Sequence, residues 1–276
     1  MGMLSINTNI GALKAADAAY SVNKSMETSM HRLSSGKRIN SAADDAAGLK
    51  ISQRQEAEIR GFAQSSRNAA DAQAFFATAE GAMGEIHNLL QRLREIAVQS
   101  ANDTNNTADR TALQTEVTQL EADIDRIRAD TTWAGISLLG FVSGGNTLTF
   151  QVGPDNGDTI AHTLPDPIHT GSLLDLNGSV SDRSGAVAYI GLVDTAIDNL
   201  GTKRAELGAL MNRLDYTMSN LTTMATNLTL AKGRIEDADF AAESANLART
   251  QVLQQASMSM LAQANAAKQN ILALFQ

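Results

Sequence analysis

The stretch SSGKRINSAADDAAGLKIS, residues 34–52, combines residue types that bind phosphate or metal ions in many proteins. Gly36 and Lys37 look like the end of a phosphate-binding loop. That motif also requires a glycine five residues before Gly36 and a serine or threonine directly after the lysine. The chain has His31 and Arg38 at those two positions. The spacing therefore excludes a phosphate-binding loop.

The Asp44–Asp45 pair in the same stretch supplies two adjacent carboxylates. Paired carboxylates share a proton or hold a metal ion in many active sites, but here no cysteine or histidine accompanies them closely. Ser41 with Asp44 three residues later fits an N-terminal helix cap, and acidic residues in a first turn suit the helix dipole. We therefore predict a joint between two helices, the second beginning at about Ala42, and no catalytic site.

The four histidines of the chain do not form a metal-binding pattern. A helical zinc site of the peptidase type needs two histidines in the order H-E-x-x-H. No two of the four histidines have this spacing. They are His31, His87, His162 and His169. The chain also has no cysteine, which excludes thiol ligands and thiol catalysis. We predict no catalytic residues, no metal site and no cofactor, and hence a protein that is not an enzyme.

Composition limits the possible partners of this 276-residue chain. Its formal net charge of −8 disfavours binding to nucleic acid or to anionic membranes. No stretch of about 18 uninterrupted apolar residues occurs, so we predict no membrane insertion. The N-terminus MGMLSINTNIGALKAAD has no charged start followed by an apolar core, and we expect export, if it occurs, without a cleaved signal peptide.

Helical patterns dominate both ends of the chain, with 4% aromatic residues and only 3 prolines overall. The clearest pattern is a seven-residue repeat near the C-terminus: Leu200, Leu207, Leu214, Leu221, Leu228 and Ile235. This repeat indicates either a coiled coil or one long helix of an ordinary bundle. Between the helical ends, alternating residues around Gly-Gly and Asp-Asn-Gly predict a β-hairpin.

We therefore predict a mainly α fold: a long antiparallel helical or coiled-coil rod formed by both chain ends, with a small β-hairpin region in the middle. The terminal segments 1–40 and 240–276 have few large apolar residues, and such helices do not stabilise themselves. We expect these segments to be mobile in the monomer and to order against other copies of the chain. The residues predicted to pack between subunits are Ile6, Ile10, Leu13, Leu253, Leu261, Ile271 and Leu274.

Several long motifs resemble those of the bacterial flagellins, the subunits of the flagellar filament. RLSSGKRINSAADDAAGLKISQR is similar to the family's N-terminal signature, and SINTNIGAL to its opening residues. LLQRLREIAVQSAN and LQTEVTQLEADIDRI resemble its middle helices, and GRIEDADFAAESANLARTQVLQQASMSMLAQANAAKQNILAL its C-terminal region. The chain resembles a short form of the family in which the outer domains are nearly absent. The family's frequent Phe-Asn-Gly is replaced here by Trp133-Ala134-Gly135.

The resemblance implies three regions. Residues 1–46 and 235–276 are expected to form the inner helical domain that lines the filament tube, together with its spokes. Residues 47–161 and 190–234 are expected to form a helical rod domain with the β-hairpin, and residues 162–189 a short variable surface segment. The spoke or joint would include Arg38, Asn40, Ser41, Asp44 and Asp45, facing RIEDADFAAE of the returning chain.

The resemblance also implies function and location. The chain would be a structural subunit that polymerises head-to-tail into the extracellular filament for swimming. A hook–filament junction protein, which shares flagellin-like ends, is the alternative. Expected partners are other copies of the chain, a flagellar export chaperone, and hook-associated and cap proteins, with passage through the flagellar type III export apparatus.

A further expectation from the resemblance is recognition by Toll-like receptor 5, if the organism meets a host. The family's receptor-contact helix is similar to LQRLREIAVQ in this chain. The residues that match the contact set, with Ile96 in place of the usual leucine, are Gln91, Arg92, Glu95, Ile96, Gln99 and Glu116. The same residues would also serve to pack neighbouring copies together.

Overall fold

The computed structural model describes residues 8–139, 147–163, 174 and 176–273, with side chains up to residue 266. In this part of the chain the helices are α1 (Ile10–Ser35), α2 (Ala46–Ser100), α3 (Thr107–Asp130), α4 (Arg183–Glu236) and α5 (Phe240–Ala273). The strands are β1 (Thr132–Trp133), β2 (Ile136–Ser137), β3 (Thr147–Gln151) and β4 (Thr159–Thr163). The predicted mainly α fold, with a hairpin in the middle, is confirmed.

The chain divides into two compact units. The terminal unit comprises the chain up to Ile59 and from Thr226 onward, and the central unit runs from Arg60 to Ala225. Helices α2 and α4 are long enough to contribute to both units. The predicted region limits at residues 46 and 235 stay a prediction.

In the central unit, α2 and α4 run antiparallel. Gln73 donates a hydrogen bond to Asp215, and Arg94 forms an ion pair with Asp194 at 2.6 Å. Between these two contacts, Arg204 of α4 forms an ion pair with Glu80 of α2, also at 2.6 Å. Each contact farther along α2 thus meets a residue farther back along α4, which is the order of an antiparallel pair.

The seven-residue repeat of α4 supplies one side of the central core. Leu200, Leu207 and Leu214 are buried there, and they belong to one apolar cluster with residues of α2 such as Phe76 and Ile86. Leu221 is also buried, whereas Leu228 and Ile235 are only half-buried. The repeat therefore marks a core that is densest in the central unit and weakens toward the chain terminus.

Helix α3 folds back against this pair and completes a three-helix bundle. Its start is fixed by a capping box, in which Asn106 and Asp109 each accept the other's backbone N–H. Farther along, the Tyr189 hydroxyl of α4 donates to Glu121 of α3 at 2.6 Å. Burial, together with this hydrogen bond, raises the pKa of Tyr189, and burial also raises the pKa of Glu121. The hydrogen bond satisfies both polar groups as the helices close over them.

The β3–β4 hairpin packs against α2 through aromatic side chains. Phe150 of β3 contacts Phe75 and Phe76 edge-on, with ring centres 5.7 and 5.4 Å apart. His162 of β4 lies edge-on to Phe76 at 5.2 Å, and its Nε2 is buried without a hydrogen-bond partner among the described residues. Burial lowers the pKa of His162. The neutral imidazole therefore serves as part of the apolar contact.

Two local features differ from the sequence expectations. The predicted surface segment 162–189 is partly core, because Val180, Ala186 and Tyr189 are fully buried and α4 already begins at Arg183. A second small pairing, β1 with β2, was not predicted, and its turn holds Ala134 at φ 49°. This left-handed conformation costs an alanine about 1–2 kcal/mol and suits the asparagine that is common in the family signature.

No helix in the described part of the chain is long and apolar enough to cross a membrane.

Protonation of His162 should release the hairpin. Because burial lowers its folded-state pKa, its contribution to stability is present above the unfolded pKa and is lost as pH falls through the folded value. Nearby Glu206 raises the pKa and Lys203 lowers it, both less than burial does. We expect the hydrogen exchange of residues 147–163, divided by the intrinsic base-catalysed exchange rate at each pH, to rise between about pH 7 and pH 5.

The variant His162→Phe should abolish this acid-dependent rise, since its ring does not titrate. His31→Gln, which changes an exposed histidine of the terminal unit, is the control and should leave the hairpin's profile unchanged. An unaltered acid response in His162→Phe would contradict the assignment.

Candidate assembly surface

Helices α1 and α5 of the terminal unit pack antiparallel to each other. Asn9 donates from its side-chain amide to the backbone oxygen of Ala264, and Gln254 donates to the Asn23 side chain at 2.7 Å. At the other end of the pair, Arg32 lies 3.7 Å from Glu243. The chain ends thus fold onto each other, as the predicted fold requires.

The contact between the two helices follows a narrow seam. The least exposed positions recur every three and four residues, the spacing of a coiled-coil interface. The seam residues of α1 are Ala12, Ala15, Ala19, Val22, Met26, Ser29 and Leu33. Those of α5 are Glu243, Leu247, Thr250, Gln254, Ser257, Leu261 and Ala264.

Few of the fourteen seam residues are large and apolar. Five are, and all of them are only half-buried: Val22, Met26, Leu33, Leu247 and Leu261. The buried members of the seam, between 5% and 9% exposed, are Ala19, Ser29, Glu243 and Thr250. Burial of an alanine removes far less apolar surface from water than burial of a leucine, which stabilises by about 1.5–3 kcal/mol. Ordering the backbone costs about 1–2 kcal/mol per residue. The α1–α5 pair therefore has a small apolar core for two helices of this length.

Nine other large apolar side chains of the same helices lie off the seam and face solvent. Each of them is between 45% and 69% exposed: Ile10, Leu13, Tyr20, Met30, Phe240, Val252, Leu253, Met258 and Met260. Scattered exposed apolar residues are ordinary, but a set of nine on one helix pair is a candidate interaction surface. We call this set the assembly surface.

The predicted packing residues divide between these two environments. Ile10, Leu13 and Leu253 lie on the assembly surface. Leu261 is half-buried on the seam, so its side chain packs at least partly within its own chain. Ile6, Leu274 and the side chain of Ile271 lie outside the described residues. Sequence reasoning missed Tyr20, Met30, Phe240, Val252, Met258 and Met260, although their large apolar side chains among alanines and serines were the signal.

The predicted joint pairs two segments of backbone. The N–H of Arg38 donates to the carbonyl of Glu236 at 2.6 Å, and the N–H of Ala238 donates to that of Gly36 at 3.0 Å. Lys37 and Asp237 thereby form a short antiparallel bridge. Gly36 ends α1 in the left-handed conformation, at φ 70°, which lets the chain leave the helix toward this bridge.

Charged side chains reinforce the bridge. Lys37 lies 2.6 Å from Glu236, whose side chain is only 10% exposed. Lys232 contacts both Glu56 and Glu236, and the hydrogen bond to Glu56, followed by the charge of Glu236, raises the pKa of Lys232. The Arg38 guanidinium donates to the backbone oxygen of Ile235 at 2.6 Å. The joint thus combines paired backbone with charge-assisted hydrogen bonds and ion pairs.

The capping prediction for Ser41 was wrong in its detail. Helix α2 begins at Ala46, not at about Ala42, and Asp45 is its cap, because its carboxylate accepts the N–H of Gly48 at 2.9 Å. Asp44 instead closes the preceding turn by accepting the backbone N–H groups of Ser41 and Asn40. Those bonds, Ser41 first, lower the pKa of Asp44. The two adjacent carboxylates therefore have separate structural tasks.

The predicted receptor-contact residues lie in the central unit. Gln91, Glu95 and Gln99 are exposed on α2, and Arg92 links Glu95 of its own helix to Glu116 of α3 at 3.0 and 2.8 Å. Hydrogen bonds to Glu116 and then Glu95 raise the pKa of Arg92. The inclusion of Ile96 is corrected, because this side chain is fully buried in the core and presents no surface to a partner.

Among the described residues, no group of three or more histidine, aspartate or glutamate side chains is arranged to hold a metal ion. Comparison with known proteins gives matches in two parts of the chain. Residues 6–143 match the model of the bacterial flagellin N-terminal helical region, and residues 190–275 that of the C-terminal helical region.

The chain belongs to the bacterial flagellin family. It is 40% identical to the flagellin of Halalkalibacterium halodurans, an alignment that covers 98% of this chain and 99% of that one. It is 37% identical to the flagellar filament 33 kDa core protein of Treponema phagedenis, again over 98% and 99% of the two chains. This flagellin is thus a structural filament subunit of the short form.

Solved structures show the same fold. The crystal structure of Bacillus cereus flagellin is 36% identical, with a TM-score of 0.51, and covers 60% of this chain and 94% of that one. A putative flagellar hook-associated protein from Vibrio parahaemolyticus has a TM-score of 0.59, covering 70% and 100%, but only 17% identity. The second likeness concerns the fold alone, so the junction alternative is not better supported than the filament subunit.

The joint should depend on the absence of a side chain at Gly48. A Cβ at this buried position would lie 2.5 Å from the Asp45 carboxylate and 2.7 Å from the Ile39 side chain. We expect Gly48→Ala to destabilise the chain by about 1–3 kcal/mol in urea unfolding, with faster hydrogen exchange at residues 38–48.

Gly81→Ala is the matched control in the same helix. A Cβ there meets nothing within 4 Å, so the variant should stabilise by about 1 kcal/mol through helix propensity. Equal effects of the two substitutions would contradict the close packing assigned to Gly48.

Proposed function

We propose that this flagellin polymerises head-to-tail through the assembly surface of α1 and α5. The observation that supports the proposal is the pairing of a polar, alanine-rich seam with large exposed side chains such as Leu13 and Leu253. Both helices carry exposed apolar side chains, so the surface that one copy presents can differ from the surface that it contacts on the next copy. Contacts of this heterologous kind do not close on themselves and produce an open helical polymer.

Polymerisation would supply the burial that the isolated helix pair lacks. Each exposed leucine, isoleucine, valine, methionine or phenylalanine gains about 1.5–3 kcal/mol when it becomes fully buried. Since association and ordering oppose this gain, a dense set of such residues is needed. We propose that the terminal helices are weakly ordered in the monomer and become stable when neighbouring copies cover them.

We propose further that the chain works outside the cell. In support, the chain belongs to the flagellin family, and one of its relatives is a flagellar filament core protein. On this proposal the chain leaves through the flagellar type III apparatus without a cleaved signal peptide, held by an export chaperone. It joins hook-associated and cap proteins in the filament and has no enzymatic activity of its own.

Polar substitutions on the assembly surface should stop elongation. We expect Leu13→Asp with Leu253→Asp to reduce seeded growth at least tenfold, because each carboxylate would be buried in an apolar contact. Growth is measured by light scattering and electron microscopy after adding short filament seeds and sulfate, which strengthens apolar burial.

Val187→Asp is the control, since Val187 is an equally exposed apolar residue (55%) of the central unit. It should elongate at a rate close to that of the unmodified chain. If the double variant elongates normally, the assembly surface is misplaced. If the unmodified chain remains monomeric with seeds present, a junction or minor subunit becomes the better proposal.

We also propose that α2 and α3 can bind Toll-like receptor 5. In support, Gln91, Arg92, Glu95 and Gln99 are exposed, and Glu116 adjoins them across the two helices. An arginine flanked by polar and apolar contacts is a common binding hot spot. The same cluster would also contact neighbouring copies in the filament.

Arg92→Ala should therefore weaken both receptor signalling and filament stability. We expect at least a tenfold loss of signalling by the monomer, the size of a hot-spot effect. Arg94→Ala is the control, because Arg94 is equally exposed on α2 but pairs with Asp194 of α4. Unchanged signalling with Arg92→Ala would remove the receptor proposal and leave the packing role.

A further inference from the structure

The methionines with described side chains range from buried to mostly exposed, and Met26, Met211 and Met218 lie between these limits. The chain has 10 methionines and no cysteine, so thioethers are its only sulfur groups. Met30, Met258 and Met260 are 54%, 57% and 67% exposed, and all three belong to the assembly surface. Met83, in contrast, is 2% exposed within the central core. Oxidants in solution therefore meet one set of thioethers far more readily than the other.

We propose that Met30, Met258 and Met260 are oxidation sites whose conversion to methionine sulfoxide prevents the subunit from entering the polymer. The proposal rests on the proposed function of the assembly surface. It adds a modification site, and its substrate class is a two-electron oxidant such as hydrogen peroxide or hypochlorous acid.

The chemistry balances without a cofactor. The thioether sulfur attacks one oxygen of hydrogen peroxide, a sulfur–oxygen bond forms, and the oxygen–oxygen bond breaks. The second oxygen leaves as water after proton transfer, so sulfur loses two electrons and the peroxide gains them. The product is a sulfoxide, which methionine sulfoxide reductases return to the thioether.

Oxidation changes the property on which the surface depends. A methionine side chain is flexible and apolar and fills irregular contacts, whereas its sulfoxide is polar and a strong hydrogen-bond acceptor. A sulfoxide buried against the apolar face of a neighbouring copy would lose its water without gaining a partner. Oxidised subunits should therefore be excluded, while methionines already covered in the polymer should be protected.

Two other methionines give internal controls. Met224, in the central unit, is 42% exposed but lies outside the α1–α5 pair, so it should be oxidised without effect on elongation. Met83 should remain unoxidised in the folded chain. Whether oxidation of an exposed methionine reduces elongation should therefore depend on its position within the assembly surface and not on its reactivity alone.

The test treats the full-length monomer with hydrogen peroxide, removes the oxidant and maps each sulfoxide by peptide mass. Seeded elongation follows. We expect sulfoxides at Met30, Met258, Met260 and Met224, with at least a tenfold loss of elongation. The combined variant M30L, M258L and M260L should keep its elongation after treatment, whereas M224L should lose it like the unmodified chain. Treatment with the two methionine sulfoxide reductases, one for each sulfoxide epimer, should restore elongation by the oxidised chain.

Three results would overturn the inference. Full elongation by a chain oxidised at all three sites would overturn the inference and leave the proposed function standing. Loss of elongation that the reductases do not reverse would also overturn it, whatever the leucine variant does. If the untreated chain fails to elongate on seeds, the proposed function fails and the inference fails with it.

Discussion

The constraint on which the structure depends is the small apolar area buried in the seam between α1 and α5. Alanine, serine, threonine, glutamate and glutamine occupy most of its positions, so the two chain ends meet closely without building a large apolar core. Side chains that would normally form such a core, Leu13 and Leu253 among them, face solvent instead. A helix pair of this composition gains apolar burial when another surface covers it, and on the proposed function that surface belongs to another copy of the chain.

The central unit and the joint do not depend on this small apolar burial. The central unit holds a dense core in which Leu207, Leu214 and the aromatic side chains Phe75 and Phe76 are buried. At the joint, backbone pairing and the Lys37–Glu236 ion pair fix the chain where it leaves α1 and where it returns toward α5. Directed hydrogen bonds do not need a large apolar surface, so the joint can be ordered without a large apolar core of its own.

The features that could be predicted from the sequence are those that depend on a contrast between large apolar and polar residues. The leucine repeat of α4 and the hairpin around Asp-Asn-Gly carry that contrast, and both are present. The seam does not carry it, because alanines and serines look alike on every face of a helix, and Leu261 was therefore assigned wholly to contacts between copies. The helix cap at Asp45 was missed for a related reason, since Ser41 fits the same short pattern and only the backbone path decides between them.

The most direct test compares hydrogen exchange in the monomer and in the seeded polymer. The account predicts fast exchange along α1 and α5 in the monomer and strong protection of the same amides in the polymer. The amides around Ile86 and Leu207 should be protected in both states, because they belong to the central core. Protection of α1 and α5 in the monomer equal to that of the central core would contradict the claim that the terminal helices depend on assembly.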